Sequence, residues 1–380
     1  MWNIKNEAFL KDIEWLTSAQ VKLSTGTSGN SEIPYYDHLA LVSGDANYND
    51  EAGIYPSQSG NEELSWEQTW ANNVGVSFGL YNRVNVNVDF YHKKTTNMLM
   101  LVPQSYAITG VGNRWDNIGA MMNRGVEIAI DGDVIRTKDF TWNLSANVSY
   151  NKNKLLELYN GVEEYVNSTT GLKYVVGHSV REYFMNRYAG VNPANGDALW
   201  YTADGELTTE FREEDKVMTG KSFDSPWVGG FGTSLMWKGL SLSAQFSWMA
   251  KRYVMNNDRF FEESNGLYSA YNQSKRLLYD RWKKPGDITD IPRYGVTAQL
   301  DDRFLENSFL RLKNLTLAYA FPQSLLKKTN FFTSARVYLQ GQNLLTWTGF
   351  TGLDPEVATN VYRAQYPASR QFTLGIDVSF

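Results

Sequence analysis

Stretches of about ten residues in which apolar and polar side chains alternate without a break recur through this sequence, and nothing else in it restricts the fold as much. Val84, Val86, Val88 and Phe90 fall on one side of such a stretch, with Asn85, Asn87, Asp89 and Tyr91 on the other. Trp142, Leu144, Ala146, Val148 and Tyr150 oppose Asn143, Ser145, Asn147, Ser149 and Asn151. Leu240, Leu242, Ala244, Phe246 and Trp248 oppose Ser241, Ser243, Gln245 and Ser247. The chain ends with Phe372, Leu374, Ile376, Val378 and Phe380 set against Gln371, Thr373, Gly375, Asp377 and Ser379. A period of two belongs to the β-strand, whose successive side chains point to opposite faces, and not to a helix with about 3.6 residues per turn. Each such strand has one greasy face and one wet face.

Composition agrees with an all-β reading. Aromatic residues make up 14% of the 380 residues, and Asn, Ser, Thr and Gly are abundant, a mixture that suits strands joined by turns. No uninterrupted apolar run exceeds that of Met98 to Val102, whereas a transmembrane helix needs about 20 apolar residues. There is no cysteine, so neither a disulfide scaffold nor a thiolate metal site can form. A formal net charge of −5 offers nothing to attract nucleic acid, which is bound by neutralising phosphates. Met1 to Ile4 carry no basic and apolar leader, so the expectation is either a cytoplasmic protein or a chain that lacks its natural N-terminus.

The pattern predicts twelve principal strands, near residues 15–27, 66–80, 82–93, 124–134, 140–151, 183–190, 197–203, 228–238, 240–250, 309–320, 334–343 and 371–380. The connections alternate in length. Residues 28–65, 94–123, 152–182, 204–227, 251–308 and 344–370 are long; the tight turn Leu80-Tyr81-Asn82-Arg83, 135–139, 191–196 and Gly239 are short, and 321–333 is short to middling. A compact soluble domain rarely tolerates structureless loops beyond about 15 residues, and has no reason to gather them at one end. A transmembrane β-barrel does, because its antiparallel strands turn tightly at the periplasmic rim and loop widely outside the cell. Lipid then covers the greasy faces without a second protein layer. Trp142, Tyr150, Trp237 and Trp248 fall near strand ends, where interfacial aromatic girdles belong.

Two edges of an open sheet cannot stand unpaired in lipid, since each unsatisfied peptide group costs several kcal/mol there. The strand near 15–27 alternates Val21, Leu23 and Thr25 against Lys22 and Ser24, without proline to blunt it, and the terminal strand is equally bare. Either the sheet closes on itself or further strands complete it.

Five segments, taken in order, resemble the C-terminal barrel region of the SusC/RagA family of TonB-dependent outer-membrane transporters. They are Asn117-Ile118-Gly119 with Asn123-Arg124-Gly125-Val126-Glu127; Ala189-Gly190-Val191-Asn192-Pro193 with Asn195-Gly196-Asp197; Asn307-Ser308-Phe309-Leu310-Arg311-Leu312-Lys313-Asn314-Leu315; Val337-Tyr338-Leu339-Gln340-Gly341-Gln342-Asn343-Leu344-Leu345 with Gly352-Leu353-Asp354-Pro355-Glu356-Val357; and Tyr366-Pro367-Ala368-Ser369-Arg370-Gln371-Phe372 through Phe380. The resemblance implies that these strands are part of a barrel of about 22 strands, closed by an N-terminal plug that contacts TonB. It also implies a SusD-like surface lipoprotein as lid, and import of oligosaccharide or peptide cargo across the outer membrane. The plug, the first strands and a signal peptide are not in these 380 residues, so residues 1–380 are expected to be the C-terminal part of the barrel. Phe380 is similar to the C-terminal aromatic that such barrels present to the insertion machinery.

No catalytic group or cofactor site is expected. The acidic runs Glu213-Glu214-Asp215, Glu262-Glu263 and Asp301-Asp302 fall in loops, where solvated charge explains them. His38, His92 and His178 are isolated in sequence. Gly229-Gly230-Phe231-Gly232 lies inside a strand, the wrong context for a phosphate-binding loop. Asn195-Gly196 after Pro193, and Asp354-Pro355, read as turn makers. The alternative to a transporter barrel is a non-transporting surface adhesin or a soluble glycan-binding β-protein, and solubility without detergent would single it out.

Overall fold

The computed structural model describes residues 1–166, 173–328 and 331–380. Ten long strands form one antiparallel sheet in sequence order, each bonded to the next. They are β1 (Leu16–Asn30), β2 (Glu67–Leu80), β3 (Val84–Thr96), β4 (Ala120–Arg136), β5 (Phe140–Glu157), β6 (Trp227–Trp237), β7 (Leu240–Ala250), β8 (Phe309–Ala320), β9 (Ser334–Thr348) and β10 (Gln371–Ser379). Such nearest-neighbour meandering, with no crossover, is the order of an up-and-down barrel wall.

The register sorts the side chains as the alternation requires. On one face, Trp142, Leu235, Leu242, Leu317, Leu339 and Leu374 follow one another as direct partners from β5 to β10. Val21, Val76, Val88, Ile128 and Val148 do the same from β1 to β5. On the other face Asn85, Asp131, Ser145, Gly232, Gln245, Asn314, Gln342 and Gln371 make an unbroken small or polar row from β3 to β10. Among the described residues, side chains on the apolar face are left open from β3 to β10: Phe90 is 55% exposed and Phe372 73%. A soluble sheet would bury such residues, each worth about 1.5–3 kcal/mol.

Three short turns, joining β2 to β3, β4 to β5 and β6 to β7, gather at one end with the longer connection 321–333 between β8 and β9. The first places both Tyr81 and Asn82 at positive φ, which matches the twist of the strands it joins. At the other end lie the long connections, 31–66, 97–119, 158–226, 251–308 and 349–370.

Two of the twelve expected strands are not in the wall. Residues near 183–190 form two short strands, Glu182–Met185 and Arg187–Val191, which pair with Val217–Ser222 and Ala198–Tyr201 inside the connection between β5 and β6. They are too short for a tilted crossing, which takes about 9–11 residues. Their burial does not alternate either, since Glu182, Tyr183 and Met185 are all buried. The expected loops 152–182 and 204–227 therefore merge into one folded excursion. Because the two strands drop out together, the up-and-down parity of the others is unchanged.

The long connections are not structureless. Tyr183, Met185 and Phe223 from the first, Val254, Met255, Phe304 and Leu305 from the second, and Phe350, Val357 and Tyr362 from the third share one buried core. Val254–Asn256 holds them together, pairing antiparallel with Leu305–Glu306 and parallel with Val361–Tyr362. Residues 31–66 and 97–119 interlock separately: Trp115 Nε1 donates to Asp37 Oδ2, and Asn117 exchanges hydrogen bonds with Ser65 while also donating to the Asn97 carbonyl.

Candidate functional site

The candidate site is the polar face of the wall together with the folded layer above it. Asp89 on β3 stands directly opposite Glu127 on β4, and with Asn87, Asn147, Ser149 and Glu356 they line a cavity of about 460 Å3. Asn73 Nδ2 donates to Asp89 at 3.3 Å, and neither Asp89 nor Glu127 is in an ion pair among the described residues. Higher on the same face, Tyr91 donates to Asn151, Asn151 to Asn123, and Asn153 to both Asn123 and, through its carbonyl, receives Val180 N. This amide ladder ties the wall to the connection that begins at residue 158.

The last connection is clamped onto the wall by ion pairs. Arg311 of β8 contacts Asp354 and, at 2.7 Å, Glu356; Lys313 contacts Glu356 at 2.6 Å. Arg252 and Asn307 donate to the Pro355 carbonyl, and Arg252 also stacks over Phe223 with its carbon 4.5 Å from the ring centre. Burial opposes the charge on Asp354, but hydrogen bonds from Arg311 and from the Ala368 and Glu356 amides outweigh it and hold the carboxyl below its usual range. Asp354-Pro355 is thus a turn, as expected, and also an anchor, which sequence reading missed. The signal was available: Arg311 is a charged residue amid apolar neighbours on a long strand, and such a residue needs a partner.

The three acidic runs are not solvated as expected. In each, one carboxylate is buried: Asp215, Glu263 and Asp301. Glu263 is paired with Arg259 at 3.0 Å and Arg276 at 2.7 Å, and both arginines also reach Asp290. Asp215 accepts the Ala203 amide at 3.1 Å. Asp301 accepts Trp200 Nε1 at 2.8 Å and lies 3.1 Å from Arg303 Nε, yet burial still pushes its carboxyl up to about 6. The reason is packing: a long loop that folds must satisfy its own turns internally, and charged side chains do this when apolar ones are few. Arg259 on the short helix Asn257–Glu262 and Glu263 at its C-cap stand four apart, a spacing legible beforehand. His178 is likewise not isolated, since its Nδ1 lies 3.1 Å from Glu182.

Asn195-Gly196 forms the expected turn, with Gly196 at φ +79°. It does more, because a Cβ there would come within 2.4 Å of the Trp282 ring. Trp282 donates to the Pro193 carbonyl and Arg293 to Asp197, so this motif is the seat on which residues 281–293 dock.

Each expected girdle aromatic is on the apolar face. Trp237 closes β6 beside the short turn, paired with Phe140 and Leu240. Trp142 is one step up, its indole N–H donating to Thr233 at 2.9 Å. Tyr150 packs 4.6 Å from the Trp227 ring at the opposite end of β5 and β6. Trp248 lies one register step further in, its indole covering Gly229, where a Cβ would come within 2.7 Å of the ring. Phe380 packs edge-on to Phe331 at 4.9 Å, at the short-turn end.

Known proteins share this arrangement. The RagAB peptide transporter contains a chain that superposes with a TM-score of 0.90 and 39% identity over all of this chain and 42% of its own. TonB-dependent receptor P3 of Formosa agariphila is 30% identical, and TonB-dependent receptor SusC of Bacteroides thetaiotaomicron 29%, in each case over 100% of this chain. The chain spans 41% and 39% of their lengths, about two fifths. Residues 14–344 match the family model described as TonB dependent receptor-like, β-barrel, and the chain belongs to that family.

Proposed function

We propose that this chain is the C-terminal part of the barrel of an outer-membrane importer that takes up oligosaccharides or peptides, driven through TonB and covered by a SusD-type lipoprotein. The observation that carries the reading is the opposition of faces across one ten-stranded wall: an uncovered apolar face suits lipid, and the polar row from Asn85 to Gln371 suits a wet lumen. From Phe140 to Tyr150 on β5 is a rise of about 33 Å along the strand, which a tilt of about 40° reduces to about 25 Å, the height of an apolar barrel band. Trp142 and Trp237 then belong to the periplasmic aromatic girdle, Tyr150 to the outer one, with Trp248 just inside it, and Phe380 serves as the insertion signal. The long connections face outside, where 251–308 and 344–370 meet cargo or lid. The relative named a peptide transporter favours peptide, and the chain itself is assigned passage and binding without a chemical step.

Uptake by cells carrying the intact gene product tests this directly. Deleting its gene should abolish growth on one class of oligosaccharide or peptide, and restoring it without residues 256–300 should leave the barrel in the membrane but not restore growth. Full growth with the deleted loop would reject the assignment of cargo or lid contacts to it. Residues 1–380 alone should fail to form a heat-resistant barrel and should form one when co-expressed with a plug-bearing N-terminal part; a closed ten-stranded barrel from these residues alone would overturn the reading.

A further inference from the structure

Toward the loop end of the wall the apolar face changes character within one register step. Phe90, Val126 and Tyr150 are direct partners on β3, β4 and β5, and the next residues on the same face are His92, Arg124 and Lys152, again direct partners. One step beyond, Lys94 and Lys154 flank Met122. Like charges set directly opposite on antiparallel strands destabilise the sheet. Yet His92, Lys94, Arg124, Lys152 and Lys154 enter no ion pair or side-chain hydrogen bond among the described residues, and Lys154 alone of the five is even half-buried. The flanking positions on β1 and β2 in the same rows, Thr25, Asn72, Thr27 and Trp70, bring no carboxylate. On the β5 side, Glu182 and Asp224 line one cavity with Lys152 but are paired elsewhere, with His178 at 3.1 Å and Arg181 at 3.2 Å. Four fixed cations and a histidine without a paired carboxylate call for an anion from outside.

We infer that this patch binds the phosphate-bearing headgroup of a membrane lipid in the leaflet on the long-loop side, with the acyl chains lying along Phe90, Val126 and Tyr150. The inference rests on the reading of the apolar face as lipid-facing. A lipid rather than a soluble anion is indicated by continuity: the cations begin where the apolar stripe ends, on the same strands and the same face, so one amphiphile satisfies both. Juxtamembrane Lys and Arg attract anionic lipid in this way, each worth about a fivefold change in affinity.

Diphosphoryl lipid A is a suitable probe, titrated against the intact outer-membrane protein in non-ionic detergent and read by native mass spectrometry. Arg124→Gln with Lys152→Gln should weaken binding about 20-fold, Arg124→Lys with Lys152→Arg should preserve it, and Lys93→Gln, on the opposite face, should leave it unchanged. Dephosphorylated lipid A should bind weakly to all of them. Equal binding by the parent and the Gln pair, equal binding of the dephosphorylated lipid, or displacement by inorganic phosphate at low millimolar concentration would each overturn the inference. Heat-modifiable migration on the same samples keeps the two readings apart. Its loss in the parent would count against the barrel itself, whereas a heat-modifiable barrel indifferent to lipid phosphate would count against the headgroup site alone.

Discussion

Arg311 in the barrel wall and Glu356 in the last long connection meet at 2.7 Å although 45 residues of chain separate them. The same guanidinium holds Asp354 and is only 3% exposed, so it is the pin of the strap formed by residues 349–370. Replacing Arg311 by Met would leave Asp354 buried without its counter-charge, a loss of about 3–5 kcal/mol for a broken buried pair. The strap should then become sensitive to protease between residues 349 and 370 while the barrel keeps its heat-resistant migration. If cleavage is no faster than in the parent, Arg252 and Asn307 hold the strap without help from Arg311.

The wall was legible in the sequence because its code is local. Which face of the sheet a residue such as Val86 or Asn87 takes depends on parity along its own strand, and parity survives any rearrangement of the loops. The loop layer was not legible, because its code is non-local. Tyr183 and Trp200 donate hydrogen bonds to Asn360 and Asp301, more than a hundred positions away in the other connections, and the short strands that carry them show no apolar–polar alternation to betray which side is covered. The acidic runs were misread for the same cause. Glu263 and Asp301 look like solvent-facing charge until Arg276 and Trp200 are brought to them by the fold. Of the motif residues, the turn chemistry of Asn195-Gly196 was readable, and its second role as a seat for Trp282 was not.

Asp301 makes the loop layer sensitive to pH. Burial raises its carboxyl from 3.8 to about 6, so the folded layer holds this proton more tightly than the unfolded chain does. Its contribution is therefore fully present below about pH 4, is lost as pH rises toward 6, and is level beyond, with a total on the order of 2–3 kcal/mol. Amide exchange protection of residues 298–306, corrected for intrinsic rates, should fall across this window in the parent. It should stay flat in Asp301→Asn, whose amide oxygen can still accept the Trp200 N–H. A slope that persists unchanged in the variant would assign the pH response to another group.

Gly196→Ala should undock residues 281–293 without disturbing the wall. Alanine at φ +79° costs about 1 kcal/mol by itself, and its Cβ would come within 2.4 Å of the Trp282 ring and 2.8 Å of Arg293 Cβ. The ring must leave, and with it the hydrogen bonds from Trp282 to Pro193 and from Arg293 to Asp197. Faster proteolysis at Lys283 or Lys284 is the expected signature. Unaltered cleavage there would mean that the seat tolerates a side chain and that the glycine serves the turn alone.

Spin labels walked along β3 can test the lipid and lumen assignment and locate the edge of the membrane in one experiment. Val86 is paired with Phe78 and Ile130 on the apolar face, and Asn87 with Ser77 and Ala129 on the other. In the intact protein in bilayers, oxygen, which concentrates in lipid, should relax labels at 84, 86, 88 and 90 strongly, and a water-soluble nickel complex should relax those at 85, 87 and 89. A one-residue slip of register would invert the whole series, because it turns every side chain to the opposite face. Equal access at 86 and 87 would mean that the apolar face is covered by protein, and would return the soluble or adhesin reading. Beyond Phe90 the two sources of contrast part company: positions 92 and 94 keep the parity of the lipid face but should lose oxygen access and gain nickel access. The residue at which that change occurs marks the headgroup level, and it should fall between Phe90 and His92, where the apolar stripe gives way to the cations.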